Sequence, residues 1–258
     1  MSAHLSRFFP IVCVAAVAAI LAGSSSSGAL LAPAHAFELP SIHTPYAPVG
    51  FGEAGIDLSY AIGVGVLRSI ALAAAVGVTA LAAGVALGAT AGLRGRPVDD
   101  AVERACDLAQ SFPSFFLALA VLATVRTPSR LHIGGVLLLT AWAPFARLAV
   151  AEVRILRRAP FVEAARALGR STASIVWVHL APCLAPVAFV QLGSTMAAVV
   201  LGEAAFAFVG LGPGDEASLG TIVEQGVACL ARSPHVLLSA AVAIVLLNAS
   251  LLRLGRRE

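Results

Sequence analysis

Polar and apolar positions along this chain fall into long blocks rather than short alternations. Stretches free of Asp, Glu and Arg run from Phe8 to Phe37, Ser69 to Leu93, Leu108 to Val125, Leu131 to Ala146, Ser171 to Gly202 and Ser233 to Leu252. A helix that crosses a bilayer needs about 20 mostly apolar residues. The six windows therefore predict an all-α integral membrane protein with about six transmembrane helices. The fourth window is short, and Arg147 extends it toward Ala151 by carrying its charge to the interface on an apolar stem. Pro113, inside the third, predicts a kink.

Between the fourth and fifth windows lies the longest polar, Arg-rich segment, EVRILRRAPFVEAARALGRSTASIVWVHLAP, Glu152 to Pro182. Read as a helix, Phe161 to Leu168 places Phe161, Ala165 and Leu168 on one face and Glu163, Arg166 and Arg170 on another, the spacing of an amphipathic helix. Gly169 follows where a left-handed residue ends one helix and turns the chain into the next. The segment thus reads as a docking loop over residues 152–182: a short helix, a sharp turn and a return into lipid.

The remaining segments take their places around these. Residues 1–37 read as a first transmembrane helix. Arg7, the run Phe8 to Ala22 and Ala34-His35-Ala36 also fit the three regions of a signal peptide, but cleavage would leave an odd number of spans. Residues 38–60, rich in Pro and Gly, read as an external loop, and residues 61–258 as a five-helix core. In the second span Gly84 and Gly88 form G-x-x-x-G, read as close internal helix packing. Asp99, Asp100 and Glu103 read as a solvated acidic helix start. Asp215, Glu216 and Glu224 lie in a stretch read as solvated external loop, 210–234.

Composition sharpens the class. With 59% hydrophobic and 12% charged residues the chain is too apolar for a soluble domain. Every basic side chain except the His is Arg. With the N-terminus inside, only Arg68, Arg126, Arg130 and Arg232 fall outside, so the positive-inside rule puts both termini and the docking loop in the cytoplasm. The net charge of +3 follows from topology and points to no nucleic acid; Arg157 and Arg158 are read the same way. With no Lys the chain cannot form a phosphate-cradling P-loop, so ATP, if it drives transport, is hydrolysed by another polypeptide. No catalytic, cofactor-binding or metal constellation is legible, and the chain is read as no enzyme. Cys13, Cys106, Cys183 and Cys229 have no ligand spacing, and His179 stands without a catalytic partner.

One resemblance is specific. Glu163, Ala164, Ala165, Gly169 and Pro182, with nine residues between Gly169 and His179, resemble the EAA loop of permease subunits in binding-protein-dependent ABC importers. The HLAP at 179–182, GEAAFAFVGLG at 202–212 and SLGTIVEQG at 218–226 are similar to the dipeptide, oligopeptide and nickel branch, C-type subunit, and the likeness covers roughly residues 50–252. Where that branch carries F-G-T-D…G-R-D, this chain has Phe51-Gly52-Glu53 and Gly55-Ile56-Asp57.

The resemblance implies the type I importer permease fold in a bacterial inner membrane. It implies peptides or a nickel chelate as cargo, a second permease subunit (a heterodimer), two cytoplasmic ABC ATPases that bind the ATP, and an external solute-binding protein. On it, Glu163, Ala164, Ala165 and Gly169 form the ATPase-docking element and Pro182 begins the following span. Glu203, at the outer end of its window, is read as beside the translocation path, as a binding-protein contact, or as half of a structural ion pair. A self-sufficient carrier or channel is the alternative; it calls for charged or polar residues at mid-span.

Overall fold

The computed structural model describes residues 2–24, 36, 49–52, 55–111, 113–213 and 218–254. These form helices α1 (Ser2–Ser24), α2 (Leu58–Arg94), α3 (Arg96–Ser111), α4 (Ser114–Ala123), α5 (Arg130–Leu156), α6 (Pro160–Ala167), α7 (Thr172–Leu211), α8 (Leu219–Ala228) and α9 (Pro234–Arg253). Among the described residues four helices, α2, α5, α7 and α9, are long and apolar enough to cross a membrane, and the α3–α4 pair, bent by 66°, makes a fifth. The apolar part of α1, Pro10–Ala22, is shorter. The chain is a multi-pass membrane protein whose helices follow the six apolar windows in order. Most of 38–60, His35 of the Ala34-His35-Ala36 tripeptide, Asp215 and Glu216 lie outside the described residues.

At the centre of the bundle is α2, which packs most extensively on α5 and also touches α1, α7 and α9. Small residues make that possible. A Cβ on Gly84 would stand 2.5 Å from the Trp142 carbonyl oxygen, and one on Gly88 2.2 Å from that of Ala146. The G-x-x-x-G pair is thus an internal seam, as its sequence reads. In lipid, where hydrophobicity gives helices no reason to associate, such close backbone approach supplies the packing energy.

Three expectations change. The third window is not a kinked rod but two helices meeting at Pro113, because α3 is amphipathic and lies against α5 while only α4 is apolar throughout. Pro182 stands at the second residue of the α-helical stretch Ala181–Phe206, but α7 does not start there: it begins at Thr172 and reaches the proline through a π-turn over Ile175–Leu180, with the Ala181 N–H donating to the Val176 carbonyl. That wider turn accommodates a residue with no N–H of its own. Finally, 210–234 is not a solvated loop throughout. Helix α8 turns back onto α7 and α9, burying Leu219 and Ile222, although Glu224 is exposed.

Candidate functional site

The segment 152–182 is built from local rules. α5 ends at Leu156, a tight turn follows, and Pro160 opens α6 with its φ already helical. Glu163 lies in the first turn and Arg166 in the last, each at the end of the helix dipole it favours. The Gly169 N–H donates to the Arg166 carbonyl (2.9 Å) and the Arg170 N–H to that of Ala165 (3.1 Å), a Schellman closure with Gly169 at φ +75°. Ser171 then caps α7, accepting from the Ser174 N–H at 3.2 Å.

The face α6 buries differs from the one its spacing predicts. Val162 and Ala165 are buried against the start of α7, whereas Phe161 and Leu168 are exposed, Leu168 at 83%. The polar face holds: Glu163, Ala164, Arg166 and Arg170 are exposed. An eight-residue helix has room for one buried stripe, and Val162–Ala165 at i, i+3 occupies it. Two large apolar side chains are left facing outward beside Glu163 and Ala164.

The segment is tied down by arginines. Arg166 Nη2 donates to the Leu93 carbonyl (3.2 Å) and Arg157 Nη1 to the Gly92 carbonyl (3.4 Å), so both cap the last turn of α2. Arg154, in the last turn of α5, pairs through Nε with Asp99 Oδ2 (3.1 Å) and through Nη1 with Glu103 Oε1 (3.0 Å), linking α5 to α3. Asp99 is therefore a buried ion-pair partner and not the solvated cap its position suggests. Arg157 has a structural task besides topology.

Glu203 is buried on α7 and paired with Arg130 Nη1 at 3.1 Å, across to the first residue of α5. The two glycine-rich motifs that follow fold into one corner. Gly210 (φ +81°) breaks α7, Ser218 caps α8 through the Thr221 N–H, and Gly220 and Gly226 bring α8 onto the Ala204 carbonyl and onto Leu237. Their glycines serve close helix contact.

Sequence reading missed one feature. At the α3–α4 bend a cavity of about 410 Å³ opens between α3, α5 and α7, with Gln110, Thr140, Gln191, Ser194 and Thr195 among its lining. These residues are scattered over three windows and carry no charge, so a search for mid-span charges passes over them.

A family described as "Binding-protein-dependent transport system inner membrane component" matches residues 84–257. The chain is 30% identical over 204 residues to the oligopeptide transport system permease protein OppC of Mycobacterium tuberculosis, covering 77% of this chain and 69% of that one. It is 29% identical over 187 residues to OppC of Bacillus subtilis (72% and 61%) and 28% identical over 207 residues to the dipeptide transport system permease protein DppC of Lactococcus lactis (80% and 60%). Over 159 residues it is 35% identical to a Brucella suis relative, of which it spans about half the length, 52%.

Proposed function

Because this chain belongs to the family of inner membrane components of binding-protein-dependent transport systems, we propose that it is one transmembrane subunit of an ATP-driven importer whose cargo is peptides. The observation that carries this reading is α6: a short helix held between two spans, rigidly closed by Gly169, with Phe161, Glu163, Ala164 and Leu168 exposed and available to a partner. Exposed apolar side chains flanking a carboxylate and a small residue suit a groove on another protein. The partner is a cytoplasmic ATPase, one of two, since the chain lacks the lysine of a P-loop. A second permease subunit and an external binding protein complete the assembly, and the arginine distribution favours cytoplasmic termini. Peptides are preferred to a nickel chelate because the relatives are named for oligopeptide and dipeptide transport.

Force passing from an ATPase to the spans needs a stiff contact. Glu163→Arg reverses the charge at the exposed face, and Gly169→Val forces a β-branched residue into a left-handed conformation. Each is expected to abolish peptide uptake in cells while the protein remains inserted and folded. Normal uptake in both, or reconstituted protein that by itself moves solute down an ion gradient, overturns the reading.

A further inference from the structure

The cavity at the α3–α4 bend opens against the middle stretches of two long helices. Gln191 stands at the middle of the 40-residue helix α7, and Thr140 near the middle of α5. Five amide or hydroxyl side chains converge there: Gln110 from α3, Thr140 from α5, and Gln191, Ser194 and Thr195 from α7. Among the described residues the lining holds no Asp, Glu, Arg, His or Cys. Gln191 Nε2 donates to Thr195 Oγ1 at 3.3 Å one turn along, which holds the Gln191 carboxamide along the α7 face. Its second N–H and its carbonyl oxygen are left to serve the cavity. Polar side chains at bilayer mid-depth are costly unless they meet partners or water, and they gather where a path runs. The volume is that of a small-molecule site.

From this lining we infer that the cavity holds the cargo's main-chain amide groups, with Gln191 as the side chain that recognises them and Thr195 as the residue that positions it. The inference rests on the importer reading and deepens it. Amides and hydroxyls donate and accept, as a peptide bond does, and the absence of charge leaves nothing to sort cargo by the charge of its side chains. Among the described residues the lining also offers no carboxylate, imidazole or thiolate to a transition-metal ion. A peptide therefore passes by its backbone, whatever its sequence.

The test uses the assembled transporter with its binding protein, and trialanine against trialanine N-methylated at its central amide. Because one binding protein serves every variant, a change in the ratio of the two uptake rates belongs to the permease. The Gln191→Met variant, matched in length and able to fill the same space, is expected to lower trialanine uptake about tenfold and N-methylated uptake little, so that discrimination collapses. Thr195→Val is expected to give a smaller fall in the same direction. Equal loss for both peptides, with unchanged discrimination, would mean a packing role and overturn the inference; so would no loss at all. Glu163→Arg provides the contrast, since failure of docking stops both cargoes alike. A trialanine bearing a photoreactive diazirine gives an independent readout. Labelling at 191–195 of α7 supports the inference even where uptake is too slow to measure, and labelling confined to other helices refutes it.

Discussion

The Asp99–Arg154 pair makes an asymmetric prediction. Both residues take part in one ion pair, but the Asp99 side chain is 1% exposed and that of Arg154 37%. Removing the arginine strands a buried carboxylate, whose remaining cation among the described residues is Arg157 Nη1 at 4.0 Å. Stranding one member of a buried pair costs about 3–5 kcal/mol, and the remaining arginine sets Arg154→Met near the low end, about 3 kcal/mol. Removing the acid is gentler. In Asp99→Asn the amide oxygen still accepts from Arg154, which keeps Glu103 at 3.0 Å and its contact with water. That loss resembles a surface pair, about 1 kcal/mol.

The double variant follows from the same reasoning. Asp99→Asn with Arg154→Met removes the stranded charge along with its partner, so it should cost about 1–2 kcal/mol, less than Arg154→Met alone. The two substitutions are then strongly non-additive, as expected for residues in contact. Denaturation in detergent, followed by the fluorescence of the two tryptophans, Trp142 and Trp177, measures all three variants against the wild type. If Arg154→Met proves no worse than Asp99→Asn, or if the double variant equals the sum of the singles, the burial argument is wrong.

Other consequences follow from packing and exposure. Gly88→Ala drives a Cβ to 2.2 Å from the Ala146 carbonyl oxygen and should cost about 1–3 kcal/mol; Gly135→Ala, where a Cβ meets nothing within 4 Å, should be neutral or stabilising by up to about 1 kcal/mol, so a reversed order in thermal unfolding would contradict the seam between α2 and α5. Gly220→Val should fold poorly for the same reason, its Cβ falling 2.2 Å from the Ala204 carbonyl oxygen, and a normal yield of protease-resistant protein would argue against the α7–α8 corner. On α6, Phe161→Ala and Leu168→Ala should leave unfolding temperature within about a degree yet weaken co-purification with the ATPase, whereas Val162→Ala should cost about 2 kcal/mol. A stability loss on removing Leu168 would mean that its face is covered within the chain.

What the sequence makes legible, and what it hides, divides along physical lines. Long apolar runs, the Pro–helix–Gly punctuation around α6 and the small-residue seam are local signals, and each appears where its pattern places it. The buried face of α6 does not, because spacing identifies a stripe but not which side a neighbour covers: Phe161, Ala165 and Leu168 share a face, yet the start of α7 covers Val162 and Ala165 instead. Asp99 reads as a solvated helix start because it lies in the first turn of α3, and its burial comes from α5, 55 residues away in the chain. Gln191 and Gln110 escape notice because neither carries a charge and no periodicity joins α3 to α7. Pro182 misleads because its cost is met by a backbone adjustment, the π-turn, that leaves no sequence mark.

The contacts around α6 also bear on how the proposed docking helix and a distant cavity could belong to one machine. Arg166 and Arg157 fasten α6 and its approach to the end of α2, and Arg154 fastens the same approach to α3. A push on α6 thus reaches two helices through charge-assisted bonds and the dense α2–α5 seam, neither of which yields gradually. The compliant point lies further along α3, at the Pro113 bend, where the ladder of backbone hydrogen bonds is interrupted and amphipathic α3 meets apolar α4 at 66°. Gln110 lines the cavity on one side of that bend and Phe115 on the other. A change in bend angle is therefore a change in the cavity's width, and on the proposed reading the bend is where a push on α6 reaches the cargo.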